Sequence, residues 1–491
     1  MFHDSLAVKA ALLHKFSEQR VLVVGDMMLD RYLWGSATRI SPEAPVPVVR
    51  VKRRSVALGG ASNVARNLIS LKVPVEVAGF LGFDTDADEF RLECASFGIG
   101  TSATVQIEEF CTVTKTRVIA DDRQLLRFDD EISAPRSDAE VDLLLNAIES
   151  ALAASSFTAV ILSDYAKGVC TPYFCQKLIQ LCVSKGLPVY VDPKGKDYRK
   201  YAGATAIKPN RVEMIELAEA EGWTSVDVVE SAAKLRELLN LEFVALTLGS
   251  QGIAVVQRDG LHQIATQARE VFDVSGAGDT VMATMVAGIS SGLPLEDSVA
   301  LANIAAAEVI AHTGTCAVGR EDLLVAIQAH DRAHGVRKLY TTSELSILVN
   351  AWRAQGLKVA FTNGCFDLLH AGHVRLLEDS AALCDRLIIG INSDASITRL
   401  KGPKRPLMPM EQRAGVLSAL ECIDAVVVFE EDTPQLVIEG ICPDILIKGG
   451  DYTVETVVGA DYVIAHGGEV KLVPLVKGIS TSYLADAINK L

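Results

Sequence analysis

The chain has 491 residues, 49% of them hydrophobic and 22% charged, with a formal net charge of −15 at pH 7. That length calls for two or three domains with sizeable cores, and the composition excludes a disordered or collagen-like chain. The acidic balance argues against a general nucleic-acid binder, which would present a basic surface, yet leaves room for local basic pockets that take a phosphorylated substrate.

Residues 1–20 mix His3, Asp4, Lys9, Glu18 and Arg20 with apolar residues at helical spacing and carry no signal-peptide pattern. No apolar run reaches the roughly eighteen residues of a membrane span. Ten cysteines without a C-x-x-C pair read as reduced, mostly buried thiols of a cytoplasmic protein. Short Val- and Ile-rich runs then alternate with helical patterns: Val21–Val24, Ala159–Leu162, Val189–Val191, Phe243–Leu246, Val359–Phe361, Leu387–Ile391, Ala425–Phe429 and Ile445–Ile447. Such runs predict parallel strands buried on both faces by helices, an α/β fold. Residues 44–56 and 111–130 instead alternate as antiparallel strands, which suit a small β-lid over a sugar site and a route to dimerisation. The boundary falls near 320–358, with residues 1–333 and 358–491 as domains, 334–357 as a helical linker and Ser343 as a helix cap.

Five stretches of the first part carry chemistry. Gly25-Asp26 ends the first strand, where a carboxylate faces the crevice and can hold two hydroxyls. Gly59-Gly60-Ala61-Ser62-Asn63 sets a diglycine against a helix start, with Asn63 placed to bond sugar hydroxyls. Asn210 and Glu213, three apart, face one side of a starting helix and can hold a hydrated Mg²⁺. Thr247-Leu248-Gly249 follows another strand and can pass under nucleotide phosphates. Asp273-Val274-Ser275-Gly276-Ala277-Gly278-Asp279 leads into an apolar helix: its free N–H groups and the helix dipole form an anion hole, and Asp279 can take a proton from an attacking hydroxyl. No Walker A pattern occurs.

In order and spacing these motifs resemble the ribokinase family of carbohydrate kinases over residues 1 to about 333. The resemblance implies a doubly wound sheet with a β-lid and Asp279 as catalytic base. It also implies an ATP site built from Asn210, Arg211, Val212, Glu213, Thr247, Gly249, Gly276, Ala277, Gly278 and Asn303, and sugar contacts from Asp26, Gly59, Gly60 and Asn63.

Further along, Gly364-Cys365-Phe366-Asp367-Leu368-Leu369-His370-Ala371-Gly372-His373 follows a strand and opens a helix. Two imidazoles three apart share a face, and as imidazolium donors they can stabilise charge on the α- and β-phosphates of a nucleotide as pyrophosphate leaves. A zinc pair on a helix more often sits at i and i+4. Lys401, Lys404 and Arg405 form a basic loop suited to a triphosphate. Lys448-Gly449-Gly450 follows a strand, and Gly478-Ile479-Ser480-Thr481-Ser482 makes a glycine turn into a last helix.

Residues from about 359 to 491 resemble the cytidylyltransferase-like nucleotidyltransferases. The His-x-Gly-His is intact, the late Ile-Ser-Thr-Thr appears as Ile479-Ser480-Thr481-Ser482, and an Arg common before that glycine is missing, leaving Lys477. The resemblance implies a smaller Rossmann-like domain whose nucleotide site comprises Thr362, Asn363, Gly364, Phe366, Asp367, His370, His373, Lys401, Arg405, Lys448, Ser480 and Thr481. The residues alone leave ATP and CTP, and the sugar, open.

The two halves in this order resemble a family of bifunctional enzymes of ADP-heptose synthesis. Residues 25–32, 39–47, 162–168 and 429–434 carry that likeness across the chain. It implies ATP-dependent phosphorylation of a heptose 7-phosphate at C1 and adenylyl transfer to the 1-phosphate. Expected partners are ATP, Mg²⁺, sugar phosphates and a second copy of the chain; neither nucleic acid nor membrane is expected.

Overall fold

Continuous apolar runs become the buried strands of two largely parallel sheets. The computed structural model describes residues 2–121, 123–223, 227–266, 276–311, 317–333, 338–450 and 452–474, and the chain divides into two units, Met1–Leu323 and Leu324–Leu491. Among the described residues no helix is long and apolar enough to cross a membrane. The nine described cysteines are free thiols, but only four are buried, fewer than expected.

The main sheet of the first unit orders its strands Leu261–Ile264, Ile253–Gln257, Phe243–Thr247, Ala206–Ile207, Val189–Asp192, Ala159–Ser163, Val21–Gly25 and Val75–Ala78. The first three pair antiparallel and the rest parallel. Val21 to Val24 are fully buried. Strand order reverses at Val21–Gly25, which lies between its successor Val75–Ala78 and the later Ala159–Ser163; such switch points leave a crevice at the carboxyl ends.

A second sheet of four strands, in the order Pro47–Gly60, Met27–Ile40, Val113–Ala120 and Arg123–Asp130, forms the lid. Both alternating segments are strands in it. Met27–Ile40 is a lid strand too, which its sequence did not announce, because its first residues are apolar without alternation. One face of the lid base is packed: Leu29 and Leu58 are fully buried, and Arg31 on that face bonds Asp86 (2.6 Å) and Glu89 of a neighbouring helix.

The second unit has six parallel strands in the order Leu339–Tyr340, Ala425–Phe429, Arg386–Asn392, Val359–Gly364, Ile445–Gly449 and Glu469–Val473. Its switch point lies between Val359–Gly364 and Ile445–Gly449. Most of the segment expected as a helical linker is built into this unit. Leu339–Tyr340 is an edge strand, and helix Thr342–Ala354 buries Leu345, Leu348, Val349 and Trp352 in the core. That helix is capped by Thr341, not Ser343, because Glu344, three residues on, bonds the Thr341 backbone and hydroxyl in a capping box.

Candidate active sites

Five strands of the first sheet end at one cavity of about 820 Å³. It is lined by Asp164, Asp192, Lys208, Asn210–Glu213, Thr247, Gly249, Gly276–Asp279 and Asn303. Every residue expected at the nucleotide therefore meets there: Asn210, Arg211, Val212, Glu213, Thr247, Gly249, Gly276, Ala277, Gly278 and Asn303. Asn210 and Thr247 are bridged side by side. Val281, Ile253, Ala306 and Ile310 supply an apolar wall. Residues 273–275 of the glycine motif lie outside the described residues.

Asp279 is the third residue of helix Ala277–Ser290, whose cap Gly276 has φ +80°, a conformation that disfavours a Cβ. Tyr165 Oη donates to Asp279 Oδ1 at 2.7 Å and Asn63 Nδ2 to Oδ2 at 2.6 Å. Burial, with Asp192 nearby, pushes the Asp279 carboxyl up to about 6 despite those donors and Lys208. Burial and Asp279 in turn push the Tyr165 phenol well above its ordinary range, so it stays a donor. Asn63 Oδ1 is buried without a protein partner, an acceptor left for a hydroxyl.

Asp26 departs from its expected part. Its Oδ2 accepts the backbone N–H of Tyr165 (2.8 Å) and Lys167 (3.0 Å), and its Oδ1 that of Val169 (3.2 Å). Burial and Asp164 raise it to about 6 even so. Asp26 thus fastens the loop that delivers Tyr165. Asp30, on the lid strand Met27–Ile40, is the carboxylate nearest the diglycine, missed in the sequence although it lies within the quoted stretch 25–32. Its Oδ2 would stand 2.4 Å from a Cβ on Gly59, and Gly60, at φ +56°, passes close to the Asp26 carbonyl. The diglycine makes room for protein atoms first.

Asn210 and Glu213 form a reciprocal cap: Asn210 Oδ1 accepts Glu213 N–H (2.9 Å), and Glu213 Oε2 accepts Asn210 N–H (3.0 Å). Lys194 Nζ occupies Glu213 Oε1 at 2.9 Å. Lys208, also missed, is buried beside the helix mouth; its Nζ lies 3.3 Å from a Cβ placed on Gly278 and 3.0 Å from Asp192 Oδ1. Asn303 holds Ala265 and Thr266 through its amide.

In the second unit, His370 caps helix Ala371–Ala381 and its ring stacks on His373 at 3.9 Å. The pair meets the carboxyl end of Val359–Gly364, as expected, through Phe366, which is buried at φ +45° and lies 5.3 Å from His373. The expected imidazolium is not found at His373. Burial, then the neighbouring His370 and Lys401, depress it to about 4, so the ring is neutral at pH 7 and donates as imidazole. Asp367 is buried and accepts from Arg405 (2.6 Å), Leu407 N–H (2.6 Å) and Met408 N–H (3.1 Å). Burial alone would raise this carboxyl, but those donors hold it below the usual range. Arg405 is therefore committed to Asp367, which fastens the basic loop, while Lys401 stays exposed near His373. Lys448 Nζ bonds Asn363 Oδ1 at 2.9 Å across the switch point, beside buried Thr362 and half-buried Gly364. Arg413, unassigned by sequence, is completely buried and bonds the carbonyls of Cys365, Asn392 and Met408 and the Asp394 carboxylate. Ser480, Thr481 and Lys477 lie outside the described residues.

Comparison with known proteins matches residues 18–322 to the pfkB family carbohydrate kinases and 361–483 to the cytidylyltransferase-like family. The chain is 46% identical to the bifunctional protein HldE of Methylobacillus flagellatus, covering 94% of each. It is 45% identical to the bifunctional protein HldE of Magnetococcus marinus, covering 96% of the chain and 98% of the relative. The fold also matches phosphofructokinase-2 of Escherichia coli (TM-score 0.53, 20% identity, 63% of this chain and 98% of that one).

Proposed function

The chain belongs to the bifunctional HldE family, a sugar kinase joined to a nucleotidyltransferase, and from that premise we propose that it performs two steps of ADP-heptose synthesis. In the first, ATP phosphorylates the C1 hydroxyl of D-glycero-β-D-manno-heptose 7-phosphate. Asp279 takes the hydroxyl proton as the oxygen attacks the γ-phosphorus and ADP leaves. The N–H groups at Gly276–Gly278 and the Lys208 ammonium stabilise the charge on the transferring group. Tyr165 and Asn63 hold the carboxylate, and Asn63 Oδ1 accepts from the sugar. The observation that carries this step is Asp279 itself, buried at a helix start in the wall of a nucleotide-sized cavity.

Mg²⁺ favours oxygen ligands and retains water. Asn210 and Glu213 already have protein partners for their oxygens, so they suit a hydrated ion held through its waters; the ion would shield the phosphates of ATP.

After a separate phosphatase removes the 7-phosphate, the 1-phosphate attacks the α-phosphorus of a second ATP, forming ADP-heptose and releasing pyrophosphate. The attacking oxygen is already anionic and needs no base. His370 and His373 donate to the phosphates, Lys401 adds positive charge, and Lys448 and Asn363 line the strand ends. The product serves the lipopolysaccharide core. The protein works in the cytoplasm as a homodimer joined through its lid, where Leu125, Leu126 and Phe128 stand exposed. The test is mass identification of the nucleotide sugar formed with ATP and CTP in competition. ADP-heptose is expected, and a CDP-sugar or none contradicts the assignment.

A further inference from the structure

Two buried carboxylates share one short turn, which leaves strand Ala159–Ser163 at Asp164. Asp26 accepts the N–H groups of Tyr165, Lys167 and Val169, and Asp164 Oδ1 accepts that of Ala166 at 2.7 Å. Asp164 is itself fixed by Lys200 Nζ and the Tyr201 hydroxyl, each 2.6 Å from Oδ2. Ala166 lies at φ +56°, a left-handed conformation that a residue with a Cβ holds only where its surroundings impose it. Two like charges buried together work against stability, and burial with Asp164 nearby raises the Asp26 carboxyl to about 6. What they gain is a fixed turn. What the turn carries to the base is Tyr165, whose hydroxyl donates to Asp279 Oδ1 at 2.7 Å.

We propose that Asp26, with Asp164, is a positioning residue for phosphoryl transfer: it acts through the turn and the Tyr165 hydroxyl to hold the Asp279 carboxylate, without touching substrate itself. The inference rests on the reading of Asp279 as the base. Asp279 faces Asp192, Lys208, Asn63 and Tyr165, and Asp26 faces Asp164 and, beyond it, Lys200. A hydrogen bond to a carboxylate favours its ionised form, so losing the Tyr165 donor moves the acid limb of kinase kcat/KM to higher pH. The field of Asp26 has the opposite sign. A negative charge nearby raises a carboxyl, and its removal alone would move the limb to lower pH. The direction of the shift therefore separates a role through Tyr165 from simple loss of charge.

The test follows the kinase pH profile of the full chain and of Tyr165→Phe, Asp26→Ala, Asp26→Asn and the Asp26→Ala/Tyr165→Phe double variant, with Asp279→Asn alongside. Tyr165→Phe should move the acid limb up by about one unit, with the KM for ATP little changed. Asp26→Ala should move it the same way, and Asp26→Asn, which keeps an acceptor, by less. The double variant should go no further than Tyr165→Phe alone, because both changes remove one interaction. An unmoved or lowered limb in either Tyr165→Phe or Asp26→Ala would overturn the proposal, as would shifts that add in the double variant. If Asp26→Ala does not fold, the same outcomes are read from Asp26→Asn and its double with Tyr165→Phe. Wild-type turnover in Asp279→Asn would refute the base itself, whereas lost turnover there with an unmoved limb in Asp26→Ala would refute only the role of Asp26.

Discussion

At the residue scale, burial sets how the proposed catalytic groups titrate. The folded-state value of about 6 for Asp279 lies above its ordinary 3.8. Folding therefore disfavours the ionised form, and the stability cost appears as pH rises from about 4 to 6, on the order of 3 kcal/mol in full. The same ionised form is the one that accepts a proton, so kinase kcat/KM should fall about tenfold per unit below pH 6. Asp279→Asn should cost about a hundred- to ten-thousandfold in kinase turnover while adenylyl transfer continues, as separate assays on one preparation would show. At His373 the sign is opposite: a ring held near 4 is neutral before substrate arrives. kcat/KM for adenylyl transfer should accordingly show no loss as pH rises through 6.5, and His373→Ala should slow pyrophosphate release by about a hundred- to a thousandfold. The proposed acid and imidazoles were legible as candidates in Asp279 and in the His-x-Gly-His spacing, and both stand at helix starts. Which atoms fill a carboxylate was not. Asp26 is spent on amides some 140 residues away in the chain, with 139 separating it from Tyr165, and local sequence carries no trace of that pairing. Asp30, Tyr165, Lys208 and Arg413 were overlooked for the same reason.

At the scale of elements, the apolar runs gave their strands almost to the residue, because parallel strands covered by helices on both faces must be continuously apolar. The lid was half legible: two segments alternate, but Met27–Ile40 starts in the core and its pattern emerges only toward the tip. The segment around 339–357 looked like a linker because its charged flanks mask one apolar helix face. The helix capped by Thr341 puts Trp352 completely into the core. Trp352→Ala should then cost about 3–5 kcal/mol in the unfolding of the second unit, whereas a solvated linker would tolerate the change within about 0.5 kcal/mol. Denaturant unfolding followed through adenylyl transfer separates these outcomes.

At the scale of the molecule, each unit has its proposed site at the carboxyl ends of a largely parallel sheet, with a helix start placed to meet phosphate. That recurrence explains how one chain performs two phosphate reactions without a Walker A loop. Both proposed steps act on one sugar. ³¹P NMR of the purified protein with Mg²⁺-ATP and heptose 7-phosphate, followed by addition of a 7-phosphatase, tests it most directly. A sugar bisphosphate is expected first, then a nucleotide-sugar diphosphate with pyrophosphate. Absence of the bisphosphate, or a bisphosphate that never yields the nucleotide sugar after dephosphorylation, would contradict it.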